Sequence, residues 1–223
     1  RFLNPRLQLV LCYNTDFLQR VAGNDERSLR ERALRLAQEA MQLEPDNPYA
    51  KARLGWCYIR QRAWGQGETL LREALETGGA HADNVQQCGV GLLLCGHVAE
   101  GQEWMNRAFR LNPFPRSDYF GDMAIALLVQ GEYAQAARQL ELAADRSIIY
   151  PAMQVASLAL AGQPDAAGAL LETVRAGVKA IWKGSSGPTD AEVAATIFRF
   201  TPMKQGEYSD IIRSGWRKAG LQD

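Results

Sequence analysis

The sequence carries no surplus of charge: 25 Lys and Arg balance 25 Asp and Glu across 223 residues. That excludes the broad attraction by which basic proteins collect on nucleic acid or anionic membrane. The densest basic stretch, Arg27, Arg30, Arg32 and Arg35, is interleaved with Glu26, Glu31 and Glu39 and reads as a solvated helix face. Long apolar runs are missing as well. The longest, residues 90–98, is broken by Gly91, Gly96 and His97 and falls short of the ~20 residues that span a bilayer. Histidine occurs only as His81 and His97, neither in a catalytic motif. Of the four cysteines, Cys88 and Cys95 share a helix face with His97 close by, but the Cys-x-x-Cys spacing of a zinc site is absent. Cys12, Cys57, Cys88 and Cys95 therefore read as unpaired thiols, expected in a reducing, cytoplasmic compartment and without metal. Residues 184–188, Gly-Ser-Ser-Gly-Pro, lack the Gly-Lys-Ser/Thr of a phosphate-cradling loop. Asp118 and Asp122 stand four apart on one helix face, where acids suit a helix N-terminus better than acid–base work. No catalysis and no cofactor are expected within these residues.

What the sequence does contain is a ladder. Ala40, Ala74 and Ala108 are spaced by 34, and Ala143 follows after 35. Gly55 and Gly89, and Gly67 and Gly101, repeat at the same interval, while Pro45 and Pro113 lie two periods apart. Ala37, Leu71, Met105 and Leu140 form another rung; Trp64, Val98 and Tyr133 form a third. Beyond Ala143 the period shortens, and Gly131, Ala136 and Leu140 return as Gly162, Ala167 and Leu171. A period near 34 with Leu54-Gly55-x-x-Tyr58, recurrent alanines and a closing proline resembles the tetratricopeptide repeat, although Lys51 stands where Trp is most common. The expected fold is all-α: a right-handed superhelix of about five helix pairs with a C-terminal helical extension.

Residues 4–22 and a second helix through Leu43 form the first pair, with Asn24 or Asp25 as the N-cap between them. Leu29, Ala33, Leu36, Ala37, Ala40 and Leu43 make the apolar stripe of that second helix. Asn47 and Pro48 cap the next helix. Helix pairs then follow at about 49–60 and 65–76, 83–94 and 100–110, 117–129 and 133–144, and 150–161 and 164–175. The repeat solenoid is assigned to residues 1–175 and a capping segment to 176–223. In that segment Thr189 and Glu192 form a capping box, and a last helix near 208–219 presents Tyr208, Ile211, Ile212, Trp216 and Ala219 on one face. Gly55, Gly89 and Gly101 cost ~1 kcal/mol each inside helices, a cost that close helix–helix approach explains.

Stacked pairs line an inner groove with their first helices. One face of those helices reads Tyr49, Arg53, Trp56 and Arg60, then Asp83, Gln86, Gln87, Val90 and Leu94. Asp118, Asp122, Ile125 and Val129 continue it, followed by Ala152, Met153, Ala156 and Leu160. The candidate partner-binding residues are Tyr49, Arg53, Trp56, Arg60, Gln86, Gln87, Asp118 and Asp122. The expected partner is a protein or peptide segment, with an amphipathic helix favoured over an acidic C-terminus because only Arg53 and Arg60 supply cations. The competing reading is that Trp56 packs between helices and the chain's own last helix fills the groove.

Leu111-Asn112-Pro113-Phe114-Pro115 with Tyr119, then Gly131-Glu132-Tyr133, also resembles the tetratricopeptide tails of bacterial class III adenylate/guanylate cyclase-like proteins. Similar tails occur on winged-helix transcriptional regulators. Gly215-Trp216-Arg217-Lys218-Ala219-Gly220-Leu221 resembles their usual ending, from which Trp216 departs. The resemblance covers Ala33 to the C-terminus and implies a regulatory or scaffolding tail whose effector domain lies upstream, that domain being one candidate partner. It transfers no catalytic residue. The opening Arg1-Phe2-Leu3-Asn4, without an initiator Met, fits a piece of a longer protein. A free-standing adaptor is the third possibility.

Overall fold

The chain is described by a computed structural model covering residues 3–19, 26–143 and 148–222. Among the described residues there are twelve helices and no strand. They are α1 (Leu3–Gln19), α2 (Glu26–Leu43), α3 (Pro48–Arg60), α4 (Trp64–Gly78), α5 (Ala82–Leu94), α6 (Val98–Leu111), α7 (Ser117–Val129), α8 (Tyr133–Glu141), α9 (Ile149–Leu160), α10 (Pro164–Ile181), α11 (Asp190–Phe200) and α12 (Glu207–Lys218). The first ten pack as five sequential pairs, in agreement with the all-α repeat architecture read from the sequence. The chain divides into two compact units, residues 1–114 and 115–223. The expected caps at Asn24 or Asp25 lie outside the described residues.

Within the first unit, α1/α2, α3/α4 and α5/α6 are antiparallel pairs, and the first helices α1, α3 and α5 also lie side by side. The glycine rungs sit where the two helices of a pair nearly touch. A methyl group on Gly101 would stand 2.5 Å from the Gly89 carbonyl oxygen and 2.9 Å from the Leu93 amide nitrogen. One on Gly67 would stand 2.9 Å from the Gly55 carbonyl oxygen. Backbone meets backbone there, so the space cannot be found by rotating a side chain. Asn47 caps α3 as read, its side chain accepting the Tyr49 and Ala50 amides at 3.0 and 3.2 Å. Lys51 reaches Glu73 on α4 at 3.0 Å, an ion pair across the helix pair. In α2, Leu29, Ala33, Ala37 and Ala40 are buried, whereas Leu43, at the end of the expected stripe, is exposed.

In the second unit, α7/α8 and α9/α10 form the pairs, and α7 and α9 are neighbours. The loops closing α7 and α9 repeat one turn: Gly131 (φ +90°) and Gly162 (φ +83°) stand in the left-handed region. Behind them the Glu132 and Gln163 amides reach back to the Leu127 and Leu158 carbonyls, each at 2.9 Å. Arg62 takes the same place after α3, at φ 62°. Helix α10 continues to Ile181, through the position where the repeat segment was expected to stop. Next comes the Thr189–Glu192 capping box that opens α11. Helix α12 then lies against α9 and α7. It ends as the sequence indicates, with Gly220 at φ +101° and the Leu221 amide donating to the Trp216 carbonyl at 2.9 Å.

Candidate functional site

The candidate residues of the first unit come together on α3 and α5, which pack side by side. Burial divides them. Trp56 and Arg60 are only 8% and 9% exposed, and Gln86 is buried. Tyr49, Arg53 and Gln87 stay half-exposed. The Trp56 indole N–H donates to the Gln87 carbonyl at 2.9 Å, clamping α3 to α5, and the Arg60 guanidinium lies 5.6 Å from the Trp56 ring centre. Arg30 of α2 donates to the Arg60 carbonyl at 3.0 Å, closing the end of α3. Trp56 thus joins α3 to α5. Tyr49 meets His81 edge-on at 5.3 Å. Burial raises the Tyr49 phenol above its ordinary value; the nearby Asp83 carboxylate adds to this and Arg53 opposes it. The surface that remains is amphipathic: one phenol, one guanidinium, one carboxylate and one amide over an aromatic floor.

Beneath this face, burial pushes the Cys57 and Cys88 thiols up to about 12, against the attraction of Arg53. Such thiols stay protonated and are poor nucleophiles. Cys95 reaches the Trp64 carbonyl at 3.6 Å, while His97 Nε2 reaches Glu68 at 2.9 Å. The cluster of Cys88, Cys95 and His97 is therefore split between separate partners. Among the described residues no three His, Cys, Asp or Glu side chains gather as metal ligands would. Glu68 and Glu100 both pair with Arg72, a network joining α4 to α6 that no sequence spacing advertised.

In the second unit, Asp118 and Asp122 share one face of α7, each tied to a neighbour. Tyr150 of α9 donates its hydroxyl to Asp122 Oδ1 at 2.9 Å and lies 3.2 Å from the Asp118 carbonyl oxygen. Arg116 pairs with the Asp118 carboxylate at 2.8 Å. The apolar candidates Ala152, Met153 and Ala156 on α9 are buried, and α12 is seated there. The Trp216 indole N–H donates to the Ala152 carbonyl at 2.7 Å. A methyl group on Gly215 would stand 2.7 Å from Ala156 Cα. The chain's own last helix thus covers this part of the expected groove. A clamp that sequence reasoning missed holds the end in place. Arg175 of α10 makes two bonds to Asp190 (3.0 and 2.8 Å) and one to the Gly220 carbonyl (3.1 Å), while the Gln222 amide donates to Asp190 at 2.9 Å.

No helix among the described residues is long and apolar enough to cross a membrane. A family model described as tetratricopeptide repeat matches residues 30–87. No curated protein sequence matches the chain. Among solved structures, PilW, described as a widely conserved type IV pilus biogenesis factor, is similar at 16% identity and a TM-score of 0.61. The match covers 95% of this chain and 90% of PilW. PilF of Pseudomonas aeruginosa is similar at 16% identity over the same shares of both chains, with a TM-score of 0.56. The Cut9–Hcn1 heterotetramer of the APC/C contains a chain similar at 12% identity and a TM-score of 0.57, over 83% of this chain and 39% of that one. Residues 30–87 are tetratricopeptide repeat by sequence, and the chain has the tetratricopeptide-repeat fold.

Proposed function

We propose that this chain is a non-catalytic protein-interaction module, which holds a segment of another protein against the α3–α5 face of its first unit. The observation that carries this reading is the division of labour on that face. Trp56 and Arg60 build a rigid floor, while Tyr49, Arg53, Asp83 and Gln87 remain half-exposed above it. Rigid aromatic and guanidinium groups at a partly open surface suit a binding anchor, because little side-chain freedom is lost on contact. In the second unit Asp118 and Asp122, held by Arg116 and Tyr150, are a separate candidate contact on α7.

The parent protein in this reading is a cytoplasmic signalling protein of the adenylate/guanylate cyclase-like kind, with this chain as its regulatory tail and its own effector domain as partner. The motifs at 111–115, 131–133 and 215–221 support it. A winged-helix regulator is the alternative parent, and the coding sequence upstream of Arg1 distinguishes the two. A free-standing adaptor is the third reading.

The test is a quantitative pull-down with the parent chain and the Tyr49→Ala/Arg53→Ala/Gln87→Ala variant, which spares the buried Trp56. The variant should keep its helical circular dichroism and capture less than a tenth of the partner retained by the parent. Equal capture overturns the assignment of the face. Turnover of ATP or GTP by the isolated chain overturns the non-catalytic reading.

A further inference from the structure

The C-terminal end of α6 carries a cluster that the α3–α5 face does not use. Trp104, Arg107 and Leu111 follow at i, i+3 and i+7 and so share one side of the helix. The Arg107 guanidinium stacks 5.3 Å from the Trp104 ring centre. Arg107, Arg110 and Leu111 are exposed. The chain then leaves the helix through Asn112-Pro113-Phe114-Pro115, and Phe114 is 88% exposed. Its display is not the result of a slack loop. Asn112 Oδ1 accepts the Phe114 amide at 3.1 Å, and prolines on both sides fix the neighbouring backbone angles. Folding gains nothing from an aromatic ring held in water, whereas a binding partner gains an anchor whose ordering cost is already met.

We propose that this stripe is a second docking surface, for an acidic amphipathic segment of another protein. Phe114 and Leu111 enter the apolar side of that segment, and Arg107 and Arg110 face its carboxylates. The charge is one-sided: two guanidinium groups stand against the single carboxylate of Glu103 on that stretch of α6. Trp, Phe and Arg are also the residues of membrane-surface contacts. A fluid surface, however, draws no advantage from a ring held by a hydrogen bond and two prolines, and a shaped protein site does. The surface lies on the second helix of its pair and stands independently of the α3–α5 reading.

The experiment is selection of a random sixteen-residue peptide library displayed on phage against the full chain, with depletion on the Phe114→Ala/Leu111→Ser variant. Enriched peptides should be acidic with spaced Leu, Phe or Trp. In solution they should bind Phe114→Ala and Arg107→Glu/Arg110→Glu at least tenfold more weakly, bind Arg53→Ala unchanged, and weaken as salt rises. Phe114 is solvated, so its variant should unfold at the parent's temperature, which separates lost contact from lost fold. Peptides that bind all variants alike, or a library yielding none after depletion, overturn the proposal. Sedimentation of the parent but not of Phe114→Ala with phosphatidylglycerol vesicles, without peptide enrichment, also overturns it in favour of a lipid contact.

Discussion

At the scale of single residues, the glycines show most clearly how the sequence encodes the packing. Helix propensity alone predicts that any helical Gly→Ala change gains up to ~1 kcal/mol. Gly65 is exposed, and nothing stands within 4 Å of where its methyl would be, so Gly65→Ala should show that gain. Gly101 has the Gly89 carbonyl and Leu93 amide in the way, so Gly101→Ala should destabilise by about 1–3 kcal/mol instead. Urea unfolding of the two variants measures the opposite signs; a gain at both sites would show that α5 and α6 are not in backbone contact. The thiols give a second residue-scale outcome. Cys12 is exposed, while Cys57, Cys88 and Cys95 are buried. A thiol reagent should label one cysteine in the native chain and all four in denaturant, and native labelling of Cys57 or Cys88 would contradict the packing of α3 and α5.

At the scale of elements, helix limits followed signals local in sequence. Asn47-Pro48, Thr189 with Glu192, and Gly220 marked ends that the structure keeps. The α10 end was not legible, because Gly177, which reads as a stop just after Arg175, lies inside the helix, and the helix runs on to Ile181. The Arg175 clamp was equally hidden, since Asp190 and Gly220 lie 15 and 45 positions from Arg175, Gln222 lies 32 from Asp190, and only the folded chain brings them together. Hydrogen bonds from Arg175 hold the Asp190 carboxyl below its usual value; partial burial opposes this, and the Gln222 amide adds to it. Asp190 is thus lowered in the folded state, so its contribution is present above the unfolded Asp value, about 3.9, and is lost as pH falls below it. Asp190→Asn should melt below the parent at pH 7, and the difference should be smaller at pH 3. A gap of the same size at both values would show that Asp190 acts without its charge.

At the scale of the whole molecule, the repeat ladder made the helix pairs readable, but the fate of the α7–α9 part of the first-helix face was decided by a segment outside the ladder. Helix α12 carries Ile212 and Trp216, both buried, onto α9 and α7. Of the face expected on α12, Ile211 and Tyr208 are half-buried. Removing residues 182–223 should uncover Met153 and Ala156 and cause aggregation, and Trp216→Ala should cost about 3–5 kcal/mol. A truncated chain that stays monomeric and equally stable would refute the covering role of α12. The candidate groove was half legible for the same reason: helical spacing identifies which residues share a face, yet not whether another helix of the chain lies on it. The central claim is that a partner binds the α3–α5 face while α12 keeps its place. Hydrogen–deuterium exchange of the full chain, with and without the protein retained in pull-downs, tests this most directly. Protection should rise in residues 48–60 and 82–94 and remain unchanged in 207–218. Protection of residues 117–129 and 149–160 together with faster exchange in 207–218 would contradict it, because the partner would then have displaced the chain's own helix.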